Sequence, residues 1–309
     1  MRVSFVYVAD RRILLMAQYA VMSAALSQPA GRDYHLFCHH FTPGSEVEPF
    51  AAAVSAAGGR LHLHTIEDDT FSHVRTFGHI SSACFLRIAA VSEVVASADR
   101  VIYMDTDTLV FEDLAIEQLD LQGRSIAAVL DMDLSDAGPF PDFVRQGALD
   151  PSIRSRYFNS GMMVIDPKRW QREAFLHRFA EALVDQESGC RYKPNCPPND
   201  QCACNTLFAD DWTPLPFTYN FQASGKFTEG WQTAKVRHYC GGAKFLPVTL
   251  RRNDRRDLAL IGEISRRLGQ RGPRLPALYE LAFRMNVLRN RSYAEQMRRF
   301  IQFAEPLQA

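Results

Sequence analysis

A chain of 309 residues with 47% hydrophobic and 23% charged residues is long enough to bury a large core and too apolar to remain disordered. Its 35 basic and 35 acidic residues cancel, and the first 250 residues show no basic stripe with interleaved aromatics, so nucleic acid is not the expected partner. Seven cysteines, an odd number, without secretory context read as reduced thiols.

No apolar run reaches the roughly 20 residues that a membrane span needs. The N-terminal run Val3 to Ala9 is too short for a signal sequence and ends in Asp10, Arg11 and Arg12. A cytoplasmic protein is the expectation.

From the N-terminus, apolar periodicity predicts strand 2–9, helix 12–27, strand 34–39, helix 46–57, strand 61–66, helix 80–97 and strand 101–105. Alternation of this kind implies an α/β fold with a doubly wound, mainly parallel sheet. A strand near 125–130 follows, then a strand-like Gly161 to Ile165, a helix from Pro167 to about Gln186, a loop over 188–198 and a helix from Asn199 to about Phe208. Residues 251–309 differ in kind, with 13 Arg, no Lys and six Asp or Glu, a net +7 that leaves −7 on residues 1–250. Apolar residues recur there at helical spacing: Leu258, Leu260, Ile261, Ile264 and Leu268; Leu278, Leu281, Ala282 and Met285; Met297, Phe300, Ile301 and Phe303. Three short amphipathic helices are predicted, broken at Gly272-Pro273 and at Asn290 to Ser292. The division expected is a main domain over 1–250 and a basic helical tail over 251–309. Such a tail suits peripheral attachment to an anionic membrane surface, and equally a solvated Arg face over a docked helix.

The run Val101-Ile102-Tyr103-Met104-Asp105-Thr106-Asp107 carries the most chemistry. Four apolar or aromatic residues without alternation suggest a strand covered on both faces, and carboxylates at its carboxyl end face the crevice where open α/β sheets bind ligands. Two carboxylates one residue apart suit Mg²⁺ or Mn²⁺, with other positions left for substrate phosphates.

Four further segments complete a pattern: Arg87, the run from Tyr157 through Phe158-Asn159-Ser160-Gly161 to Val164, Asn199-Asp200-Gln201, and His238-Tyr239-Cys240-Gly241-Gly242-Ala243-Lys244. Together with the acidic strand, and in this order, they resemble glycosyltransferase family 8, with lipopolysaccharide galactosyltransferases and glycogenin among its members. The resemblance runs from about Val3 to Lys244. It implies a GT-A fold, with a Rossmann-like nucleotide-sugar half, and a retaining transfer of a hexose, glucose or galactose, from a UDP-sugar with Mn²⁺, or Mg²⁺, as cofactor. Carried over by residue, it makes Asp105, Asp107 and His238 the metal ligands. It places Ala9, Asp10, Arg87, Asp105, Thr106, Asn159, Gly241 and Lys244 against the donor, and gives Asp200 and Gln201 catalytic positions.

The chemistry of these residue types agrees. Imidazole with carboxylates suits Mn²⁺, Gly241 and Gly242 let backbone approach a phosphate, and Lys244 adds a point charge. Gln201 is a poor nucleophile, which favours front-side attack over a covalent intermediate, whereas Asp200 is chemically capable of forming one. Two departures stand out. Many family members carry an Asp-Asp-Asn-Tyr-like segment after the first strand, whereas here Asp10-Arg11-Arg12-Ile13 matches at Asp10 and offers no aromatic to stack on a base. Phe245 follows Lys244 where Pro-Trp is common.

Other readings stay open at this point. Asp-Thr-Asp-Thr-Leu-Val also looks like the start of a haloacid-dehalogenase-type phosphatase with Asp105 as nucleophile. A catalytically silent sugar-nucleotide or glycan-binding module is another, and self-glucosylation through a tyrosine, as in glycogenin-like relatives, a third. The acceptor, a glycan or lipid-linked oligosaccharide, would be read by loops expected at 66–78, 132–155 and 188–198.

Overall fold

The computed structural model describes residues 1–67, 82–132, 157–173, 175–187, 200–241, 244–246, 253–273 and 279–305. The three loops expected to read the acceptor fall outside these, apart from Ile66, Glu67 and Met132; so do Asn199, Gly242, Leu278 and the side chains of Leu281, Ala282 and Phe303.

Four parallel strands form the first half of the main sheet: β1 (Val3–Ala9), β2 (Asp33–His39), β3 (Arg60–Ile66) and β4 (Arg100–Met104). All seven residues of β1 and of β2 are buried, in β2 including Asp33, His35 and His39, whereas β3 alternates toward solvent at the sheet edge. The second half is mixed. It contains β6 (Ile126–Leu130), β7 (Phe158–Ile165) and β8 (Trp212–Pro214), with β7 antiparallel to both β4 and β6, and β8 parallel to β6. The seven strands lie in the order β3-β2-β1-β4-β7-β6-β8. β7 is longer than its sequence signal, beginning three residues before Gly161 and carrying Asn159 and Ser160 inside the sheet.

Helix α1 (Leu14–Ser27) buries eleven of its fourteen residues. A helix apolar all round must be covered on more than one side. Strand β1 and helix α2 (Glu48–Ala56) supply part of the cover, and the Arg255–Arg267 helix supplies more, its Ser265 hydroxyl meeting the Tyr19 hydroxyl at 2.8 Å. Leu258, Ile261, Ile264 and Leu268 of that segment are buried as their spacing predicts, and Asp254 with Asp257 forms a capping box at its start. The predicted break at Asn290 to Ser292 narrows to Asn290, the single residue between the Tyr279–Arg289 and Arg291–Ala304 helices.

Two predicted helices are interrupted. The 80–97 segment becomes a 3₁₀ turn over Ser82–Leu86, helix α3 (Arg87–Val94) and a second 3₁₀ turn over Val95–Ser97. Ser92 and Ser97 bond the carbonyls of Ile88 and Val94 (2.8 and 3.0 Å), local bonds that compete with a continuing helix. The Pro167 to Gln186 segment divides into Pro167–Arg172 and Phe175–Glu187 around an extended Glu173. On one unbroken helix Trp170 and Phe175 would point about 140° apart. The break turns both into one cluster with Phe208, ring centroids 4.9 Å apart for each Phe175 contact.

A second, three-stranded sheet escaped sequence reading. It joins β5 (Thr108–Val110), β10 (Val236–His238) and β9 (Phe221–Gln222) in the order β5-β10-β9. Side chains alternate along β10 and its continuation. Arg237 and Tyr239 face the start of the Arg255–Arg267 helix, where Arg237, fully buried between the rings of Phe111 and Trp231, bonds Asp254 (2.9 Å) and Asp257. His238 faces the other way.

Removing Arg237 strands two carboxylates in the interior. Arg237→Met is expected to cost about 3–5 kcal/mol of stability, the usual penalty for breaking a buried ion pair from one side, as a shift in the urea midpoint. A loss under about 1 kcal/mol would mean that solvent reaches this network.

Candidate active site

The carboxyl ends of β1 and β4 are neighbours, and β7 enters and β6 leaves at the same edge. Sequence-distant residues converge there because of this topology: Asp105 follows β4, Asn159 and Ser160 open β7, and Asp131 follows β6. Antiparallel pairing of β5 with β10 sets Thr108 opposite His238. Asp107, one residue earlier, thereby comes beside the imidazole.

The His238 Nε2 lies 3.1 Å from Asp107 Oδ1 and 3.7 Å from Asp105 Oδ2. One ligand atom from each of the three residues lies within 4.8 Å of the others. Adjacent ligands of an octahedral ion with bonds of about 2.1 Å are about 3 Å apart, so this donor set of carboxylate oxygen and imidazole nitrogen fits a hard divalent cation such as Mn²⁺ or Mg²⁺. Gly161 explains the Asn-Ser-Gly signature. A Cβ there would lie 2.1 Å from His238 Cε1 and 2.9 Å from Asp105 Oδ2, so the absence of a side chain lets the backbone pass behind the cluster.

Basic groups flank the acids. Lys244 bonds Asp107, and Arg87, the first residue of α3 and 2% exposed, bonds Asp200 and the carbonyl and hydroxyl of Ser160 (2.7 and 2.9 Å). Arg87 also lies 3.4 Å from Asp105 Oδ1 and 4.8 Å from the Tyr103 ring. Burial pushes the Asp107 carboxyl up, but His238 and Lys244 outweigh it and hold the group well below its ordinary range. Burial likewise lowers the His238 imidazole, and Asp107 overcomes this to leave it raised. For Asp200 burial prevails over Arg87, and its carboxyl is raised.

Gln201 belongs to a group of amides. Its Oε1 accepts from Asn159 Nδ2 (3.1 Å), and its Nε2 donates to Asp131 (2.7 Å). Ala9 ends β1 next to β4, and Thr106 is buried between Asp105 and Asp107 in the chain. Asp10 accepts from the Arg12 and Ile13 backbone amides (2.8 and 3.2 Å) and from the Arg12 guanidinium, which shapes the turn into α1. Gly241 adopts φ +64°, a conformation that favours glycine. Arg87, Asp105, Asp107, Asn159, Asp200, Gln201, His238 and Lys244 are thus drawn to one edge. Sequence reading missed Asp131 and Asn220. Asp131 follows a predicted strand, which was a usable signal; Asn220 lies in a short turn with no motif around it.

The sequence pattern of Glycosyl transferase family 8 matches residues 4–245. The chain belongs to glycosyltransferase family 8. Among curated relatives it is 27% identical over 222 residues to glycosyltransferase GlyF of Streptococcus pneumoniae, covering 72% of this chain and 49% of GlyF. It is 25% identical over 162 residues to lipopolysaccharide 1,2-glucosyltransferase of Escherichia coli, covering 52% of this chain and 45% of that protein. The chain thus spans about half the length of these two relatives. Among solved structures, galactosyltransferase LgtC in complex with donor and acceptor sugar analogs superposes with a TM-score of 0.65 at 19% identity, over 90% of this chain and 99% of that one. Glycosyltransferase GlyE of Streptococcus pneumoniae gives 0.57 at 18% identity, over 99% of this chain and 65% of that one. These likenesses establish the GT-A fold of the family 8 chain.

The charges of the cluster make stability depend on pH. Asp107, depressed from 3.8, stabilises the fold above that value and loses the effect as pH falls through its lower folded value. His238, raised from 6.5, stabilises below that value and loses the effect as pH rises through its higher folded value. In chelator, the melting-temperature advantage of the wild type over Asp107→Asn is therefore expected to peak between about pH 4 and 6.5 and to shrink on either side. A flat difference across pH would show that Asp107 and His238 do not interact.

Proposed function

We propose that this family 8 chain is a retaining hexosyltransferase that moves glucose or galactose from a UDP-sugar to a glycan or lipid-linked oligosaccharide, with Mn²⁺ or Mg²⁺ held by Asp105, Asp107 and His238. The observation that carries this reading is the convergence of those three donors within 4.8 Å at the carboxyl edge of the sheet. When bound, the cation supplies charge neutralisation for the departing diphosphate.

The chain's own groups do the rest. Lys244 adds a cationic Nζ beside the acids, in reach of the leaving group's growing charge. Arg87 holds Asp200 at the start of the Asp200–Leu207 helix, from which that carboxylate would favour an oxocarbenium-like transition state. Asn159 and Gln201 offer hydrogen bonds that discriminate hexose hydroxyls. Retention then follows from front-side attack: the acceptor oxygen bonds to the anomeric carbon as the phosphate oxygen departs, and that oxygen takes the acceptor's proton. An amide at position 201, already tied to Asn159 and Asp131, supports this over a protein nucleophile.

Incubation of the protein with UDP-glucose or UDP-galactose and Mn²⁺ is expected to release UDP, at a rate at least about 100-fold lower in chelator or in Asp107→Asn. Intact-mass measurement of the same samples is expected to find no hexose on Asp200. Full turnover in chelator would sink the metal reading, a hexosyl-Asp200 adduct would replace front-side attack by double displacement, and p-nitrophenyl phosphate hydrolysis in place of UDP release would favour a phosphatase.

A peripheral position on the cytoplasmic membrane face is also proposed. Among the described residues no helix is long and apolar enough to cross a membrane. Supporting attachment, the Tyr279–Arg289 helix and the residues after it expose Met285, Val287, Leu288 and Tyr293 together with Arg284, Arg289 and Arg291. Against the amphipathic pattern expected, apolar and basic residues do not separate onto two faces of this helix, so attachment would rest on their mixture, with attraction to anionic lipid of about 1 kcal/mol for each Arg near the surface. Co-flotation with phosphatidylglycerol vesicles is expected, and is expected to fall sharply in Leu288→Glu; equal flotation of both proteins would remove the idea.

A further inference from the structure

An unbroken line of side-chain hydrogen bonds runs from His238 to the amides on the sugar side, and two backbone N–H groups set its direction. The Gly161 N–H donates to Asn159 Oδ1 (3.0 Å), so that atom must be the oxygen and Asn159 Nδ2 must face Gln201 Oε1 (3.1 Å). The Ser160 N–H also donates to Gln201 Oε1 (3.3 Å), which turns Gln201 Nε2 to Asp131 Oδ2 (2.7 Å). Asn159 Oδ1 accepts a second bond, from Asn220 Nδ2 (2.9 Å). Asn220 has then no choice of orientation: its oxygen lies 3.1 Å from His238 Nδ1.

An oxygen can only accept there, so Nδ1 carries a proton in both the charged and the neutral ring, and Nε2, which donates to Asp107 when the ring is charged, is the nitrogen whose lone pair a cation between Asp105 and Asp107 would meet. We infer that Asn220 is a positioning residue that selects the metal-competent tautomer of His238 and locks its ring to the sugar-facing amides Asn159 and Gln201. The inference rests on the metal centre proposed above. Asn220 is fully buried, and the turn Phe217–Tyr219 ends on it with its backbone N–H bonded to the Phe217 carbonyl (3.1 Å). Partners of this kind, which orient a ligating imidazole through its other nitrogen, commonly change metal affinity about 10- to 100-fold when removed.

Two substitutions separate its two bonds. Asn220→Asp keeps an acceptor for Nδ1 but cannot donate to Asn159; Asn220→Leu loses both. Free Mn²⁺ counted by electron paramagnetic resonance, without donor, is expected to show affinity about tenfold or more weaker in Asn220→Leu and within about threefold of wild type in Asn220→Asp. Asn220→Asp is expected instead to raise the KM for the UDP-sugar, because its second carboxylate oxygen would face Asn159 Oδ1, acceptor against acceptor, and push Asn159 and with it Gln201 out of position. The wild type itself provides a measurement that needs no variant to fold: ¹⁵N-histidine spectra of metal-free protein, taken at a pH where His238 is neutral, are expected to show the proton on Nδ1. A proton on Nε2, or unchanged Mn²⁺ affinity in a folded Asn220→Leu, would overturn the role of Asn220. Failure of the wild type to bind Mn²⁺, or equal binding by His238→Ala, would strike the metal centre itself.

Discussion

A pairing of three residues against three holds this site together. β5 and β10 come from distant parts of the chain, and their antiparallel register, Thr108 against His238, is what brings an imidazole to a pair of aspartates. Neither strand would persist alone, since isolated two-stranded ribbons are marginal in water. They are held because β5 follows closely on β4 of the main sheet and β10 is pinned from behind by Arg237. A slip of one residue would turn His238 toward the tail helix and Arg237 toward the acids. That exchange would bury a cation where a metal is proposed and leave Asp254 and Asp257 without their partner, so the pattern of charge defends the register.

Electrostatics within the site follow the same rule of placement. Acidic groups there are each matched to a fixed cation or hydrogen-bond donor: Arg87 for Asp200, Lys244 and His238 for Asp107, and the Tyr103 hydroxyl for Asp105 (2.7 Å). Buried carboxylates without such matching would be neutralised or would unfold the edge that carries them. Asp105 is the most open of the three, its side chain 26% exposed, which suits a group that must also meet a ligand arriving from solvent.

Much of this was legible in the sequence, for definite reasons. β1 and β4 are largely apolar runs, and Asp105 and Asp107 follow such a run, so their place at the carboxyl edge could be reasoned directly. The Arg255–Arg267 helix announced itself through Leu258, Ile261 and Ile264. What escaped notice lacks local signal. β5, β9 and β10 are two or three residues long and exist through pairing rather than propensity. The break at Glu173 arises from where Trp170 and Phe175 must point, which periodicity cannot see. Asn220 sits among turn residues, and its worth comes from an atom contributed by β7. The family motifs named the residues at the centre; the bonds that orient them are properties of the assembled fold.

Because consecutive residues of β10 serve opposite faces, the tail helix and the candidate metal centre share one cooperative unit. Fluctuations that lift the Arg255–Arg267 helix would release Arg237 and Tyr239, and with them the short strand between. Amide protons along Val236–His238 should accordingly exchange with solvent through the same opening as those at the start of that helix. Anything that steadies the Arg255–Arg267 helix would then steady the strand that carries His238 from a distance, with no change of shape at the site.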